Sequence, residues 1–194
     1  MKLTVQLLSA AWLWILASVS HASLVPSVDY VSGTGTASVY FVIDWNDGPD
    51  DNLNWQFRYN PGDFASVYDA MAALDAGDPN LSFTYDTTYG APFLTGMDFA
   101  DGGTSHSVDT TTASAPRDWI SFWLGDASGT AWSSSGTGIS ATPVTEGYAY
   151  GFNYEPDWNQ SSSEPNAIPE PGMFAVCLGG AGVLLWLRRL RARR

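Results

Sequence analysis

The chain has 194 residues with 8 Lys and Arg against 20 Asp and Glu, a formal net charge of −12. Every acidic residue lies between Asp29 and Glu170, and only Arg58 and Arg117 are basic in that stretch; Lys2 and five C-terminal arginines hold the remaining positive charge at the two ends. An acidic middle repels phosphate, which excludes nucleic acid as a partner, and a single cysteine, Cys177, excludes an intrachain disulfide or a thiolate zinc site.

The first predicted element is a signal helix over residues 1–22. Lys2 is a minimal positive region, residues 3–19 are largely apolar, and Ser20 and Ala22 are the small residues of a cleavage site that leaves Ser23 first in the mature chain. His21 leaves with this segment, so one histidine, His106, remains.

Residues 23–158 form the body, in which all 9 Tyr, 8 of the 9 Phe and 6 of the 9 Trp of the chain argue for a packed core. Residues 39–45 (VYFVIDW) and 53–59 (LNWQFRY) have the β-branched and aromatic composition of strands, and the turn-rich text between them predicts a hairpin with a long loop. Ser66 and Asp69 have the spacing of a capping box, and Val67, Ala70, Met71 and Leu74 follow helical periodicity. Gly77 and Pro79 end that helix after about nine residues. Residues 81–85, 93–99, 119–124 and 148–154 read as later strands, separated by Gly-, Ser- and Thr-rich segments. His106 falls in one such segment and reads as a surface histidine. Hairpin, one helix, then strands is an α+β arrangement of β-grasp type, with an all-β sandwich as the alternative.

The opening hairpin, the helix, residues 83–85 (FTY), 119–124 (WISFWL) and the Glu146-Gly147 turn before 148–152 (YAYGF) resemble the transcobalamin C-terminal-like domain of bacterial surface proteins. The chain departs from that pattern in its acidic hairpin loop and in Gly125-Asp126 after the aromatic strand. The resemblance implies a β-grasp body; cobalamin is not carried over, because the partner domain is absent.

Two candidate sites stand in the body. Asp44, Asp47, Asp50 and Asp51, with Asn46, offer the oxygen ligands that calcium takes, although Gly48 is out of step with an EF-hand loop and no distal Glu closes it. Trp132 and Trp158 lie in loop-like text and are candidates for exposed aromatic contact with a glycan; Trp119 and Trp123, four apart, share one face of a strand and read as core. Gly136-Thr-Gly138-Ile-Ser-Ala141 has the letters of a dinucleotide loop without its strand–turn–helix context. No cofactor other than calcium is expected.

The last elements are a polar linker at 159–168, the tripeptide Pro169-Glu170-Pro171, an uncharged apolar stretch at 172–187 and the cluster Arg188, Arg189, Arg191, Arg193 and Arg194. Sixteen helical residues span about 24 Å, a short membrane crossing, and the arginines fix its end in the cytoplasm. This order resembles the PEP-CTERM sorting signal of Gram-negative bacteria. The resemblance implies recognition by exosortase, a membrane-embedded cysteine transpeptidase, removal of the tail, and an association with exopolysaccharide and biofilm. The expected protein is exported by way of signal peptidase, held transiently at the inner membrane, and delivered to the envelope or beyond. Its body is expected to be non-catalytic, binding a glycan or a protein. A carboxylate-dependent polysaccharide hydrolase and a small-ligand-binding transcobalamin-like domain are the alternatives.

Overall fold

Strand formation begins earlier than the apolar alternation announces. In the computed structural model, which describes residues 24–25, 27–47, 52–88, 90–111, 118–129, 131–157 and 161–165, the first strand is β1 (Tyr30–Gly33). It lies parallel to β3 (Leu53–Tyr59), with Tyr30 opposite Trp55. β2 (Ala37–Asp44) and β3 form the expected antiparallel hairpin, and Val39, Phe41 and Ile43 turn one way while Tyr40 and Val42 turn the other. The expected elements at 1–22, including Ser20, Ala22 and Ser23, and at 169–194 lie outside the described residues, as do Asp50, Asp51 and Trp158. Among the described residues no helix is long and apolar enough to cross a membrane.

The helix α1 (Val67–Gly77) follows, two residues longer than the periodicity gives. Its capping box forms as the spacing predicts: Asp69 N donates to Ser66 Oγ at 3.3 Å and Ser66 N donates to Asp69 Oδ2 at 3.0 Å. Two further amide donors of the first turn find partners elsewhere. Val67 N reaches Thr142 O at 2.9 Å and Tyr68 N reaches Ile139 O at 3.2 Å. The segment with dinucleotide-loop letters, through Ile139, and the adjoining Thr142 therefore close the helix N-terminus with their carbonyls, which satisfies donors that would otherwise be orphaned.

β4 (Leu81–Asp86), β5 (Phe93–Asp101) and β6 (Thr104–Asp109) make a three-stranded antiparallel sheet. β7 (Trp119–Asp126), the two-residue β8 (Ser133–Ser134) and β9 (Tyr148–Glu155) complete a six-stranded sheet in the order β1-β3-β2-β9-β7-β8. At its centre β2 and β9 run parallel, although the helix and the second sheet separate them along the chain. Among the described residues the body is thus β-rich with one short helix.

The main core lies between the helix, the three-stranded sheet and one face of the six-stranded sheet. Val67, Ala70, Met71 and Leu74 are fully buried in it. An isolated helix of this length is marginal in water, and burial of each large side chain contributes about 1.5–3 kcal/mol, so packing holds it. Tyr30 stacks on Trp55 with ring centroids 5.2 Å apart, and Phe99 meets the same Trp55 edge-on at 5.5 Å. Trp55 Nε1 donates to Asp78 Oδ2 at 2.8 Å, which satisfies the one polar atom of a wholly buried indole.

Candidate functional site

The face of the six-stranded sheet away from the helix carries a second, smaller core of Leu24, Val42, Trp123, Ala127, Trp132 and Ala149. Trp132 is 7% exposed. This corrects the expectation that it offers a free ring to a glycan: the indole packs against Gly151, where the missing side chain leaves it room. A Cβ at Gly151 would stand 3.0 Å from the Trp132 ring and 2.7 Å from Pro165 Cγ. Gly125, on the neighbouring strand, likewise leaves room, since a Cβ there would collide with Leu24 Cδ1. Leu24 N donates to Gly129 O at 2.9 Å. Leu24 joins the cluster around Trp132, and Pro165 and Trp132 both crowd the space over Gly151.

Beside this apolar patch lie buried polar groups. Alternation along β9 turns Tyr150 and Phe152 toward the main core and leaves Asn153 and Glu155 on the opposite face. Asn153 is the register partner of Asp44 on β2 and of Ser121 on β7. Asp44, Ser121, Asn153 and Glu155 are all at least 95% buried. The Glu155 carboxylate accepts from Ser163 N at 2.6 Å, from Ser163 Oγ at 3.1 Å, from Ser121 Oγ at 3.3 Å and from Asn153 Nδ2 at 3.3 Å. Asn153 Nδ2 also donates to Ser163 O at 3.1 Å, and Trp123 Nε1 donates to Ser121 Oγ at 2.9 Å. Short hydrogen bonds to an ionised carboxylate are the strong ones. Residues 161–165, inside the expected polar linker, thus lie against β9.

Of the four aspartates of the acidic loop, Asp44 and Asp47 fall within the described residues. Asp44 Oδ1 accepts from Asn46 N at 2.9 Å, with Asn46 at φ 54°, a left-handed conformation that Asn tolerates. Asp47 Oδ2 lies 2.9 Å from His106 Nδ1. His106 is not a loop residue: it sits on β6, 13% exposed in its side chain, and stacks on Trp45 at 4.8 Å. This contact joins the end of β2 to the second sheet. Among the described residues no group of three or more His, Cys, Asp or Glu is placed to hold a metal ion.

A shallow groove of about 410 Å³ opens on the same side as Trp132, lined by Val25, Val28, Tyr40, Asp126, Ser128 and their neighbours. Asp126 Oδ1 accepts from Ser128 N at 2.9 Å and from Ser128 Oγ at 2.7 Å, and these bonds hold its carboxyl below the usual range. Tyr40 is the aromatic side chain of this groove that the sequence reading missed. Its position within an alternating strand marks it as turned away from Phe41, but nothing local marks the hollow formed with residues 25–28. The chain matches no protein-family model and no curated protein.

Proposed function

We propose that this is an exported bacterial surface or matrix protein, cut by signal peptidase at its N-terminus and sorted by exosortase through Pro169, Glu170 and Pro171. The sequence carries the reading through its two basic ends, and one structural observation supports it. Residues 23–168 form one compact unit, and these bounds coincide with the two expected address segments. Without its basic ends the part from 23 to 168 carries 19 acidic and 2 basic residues. Such a surface stays soluble and repels other anions.

The body belongs to the same reading as a non-catalytic β-grasp module. The parallel pair β2–β9 at the sheet centre, flanked by the β2–β3 hairpin with α1 packed on one face, supports that assignment. The groove at Tyr40 is the surface that meets an extracellular glycan or protein. Mass spectrometry of the protein recovered from its host tests the proposal. The expected product begins at Ser23 and lacks Arg188 to Arg194; a product that begins at Met1 and ends at Arg194 overturns it.

A further inference from the structure

We infer that residues 161–165 are a strap belonging to the mature body, locked by Glu155, so that C-terminal processing falls beyond Pro165. The observations are independent of the sorting motif. Ser163 meets Glu155 through both its backbone N–H, at 2.6 Å, and its hydroxyl, at 3.1 Å. Asn153 holds the same residue from the other side, with its amide nitrogen 3.0 Å from Ser163 Oγ and 3.1 Å from Ser163 O. Two residues on, Pro165 is buried and fills the hollow at Gly151 beside Trp132.

Physical chemistry gives this strap a structural role. Glu155 is 5% exposed, and two of its hydrogen-bond donors belong to Ser163. Removal of the strap strips a buried carboxylate of its shortest bond, and a buried charge that loses its donors is strongly unfavourable. The same cut uncovers the Trp132 ring at Gly151. A linker selected only for length and solubility needs neither contact.

The boundary part of this inference rests on the sorting reading; the strap does not. Hydrogen exchange on the protein recovered from its host, with Glu155→Gln and Ser163→Pro as variants, tests the strap. Slow exchange at Ser163 in the parent, and at least tenfold faster exchange there in Glu155→Gln with 41–43 and 150–152 unchanged, is the expected result. Ser163→Pro removes the N–H donor itself and is expected to lower the melting temperature, so it keeps the test open where Glu155→Gln perturbs folding. Parent-like exchange at Ser163 in a folded Glu155→Gln, or an unchanged melting temperature in Ser163→Pro, overturns the strap. The C-terminal residue of the same material tests the boundary: a terminus at 166 or beyond is expected, and one at or before Pro165 overturns it. A terminus at Arg194 overturns the sorting reading instead, while the exchange data still decide the strap.

Discussion

Gly151 shows how one residue can organise a face. Its φ is not in the left-handed region, so what demands glycine is space: Trp132 and Pro165 occupy the volume that a side chain would take. Gly151→Ala is expected to cost about 1–3 kcal/mol, the range for overpacking a filled site, seen as a lower melting temperature. Gly136→Ala is the control, since no atom lies within 4 Å of a Cβ there, and it is expected to leave the melt unchanged. Equal melts for both variants would mean that Pro165 moves aside freely. At this scale the sequence was legible where a residue's partners are close in the chain. Ser66 and Asp69 could be paired by spacing, whereas Trp132 could not be placed, because what covers it comes from residues 24 and 165.

The elements follow the same division. β2, β3, α1 and the strands at 81–86, 93–101, 119–126 and 148–155 were readable, because each carries its own periodicity. β1 is only four residues long and exists through its parallel register with β3. β6 reads as polar filler (TSHSVD) and is a strand because a Gly102-Gly103 turn folds it back on β5. The helix joins local and distant causes. Its box is local, while the carbonyls of Ile139 and Thr142 come from seventy residues away. Ser66→Ala is therefore expected to cost about 1 kcal/mol, the usual value for losing an N-cap side chain, without loss of the fold, since Val67 and Tyr68 keep their partners. Chemical denaturation measures the difference; an unchanged midpoint would show that the distant carbonyls suffice.

The whole molecule has a pH limit on the alkaline side. Burial raises the hydroxyl of Tyr85 above its ordinary value of 10.0, with Asp75 and Tyr68 adding to the shift. Burial, and then the hydrogen bond to Asp118, pushes Tyr154 up to about 12. Burial likewise raises Tyr30, Tyr59 and Tyr150. A raised tyrosine favours the folded state's neutral form, so its contribution is complete below pH 10 and is lost as pH rises through the folded value. Melting temperature is expected to fall steeply above pH 10, with phenolate absorbance appearing together with unfolding. Full ionisation of all tyrosines at pH 11 in a still-folded protein would contradict this.

What the sequence by itself determined is the order of parts: basic end, acidic aromatic body, polar segment, Pro-Glu-Pro, apolar stretch and arginine cluster. Charge and hydropathy are properties of consecutive residues, so no folding is needed to see them. It also determined the hairpin and the helix, whose periodicities are local. Only the tertiary structure decided that β2 and β9 lie side by side and that Glu155 faces a strap. It alone decided that Trp132 is buried over Gly151 beside Leu24. Those outcomes depend on pairs of residues far apart in sequence, brought together by hydrogen bonding across strands and by burial on a shared face. No window of consecutive residues contains both members of such a pair.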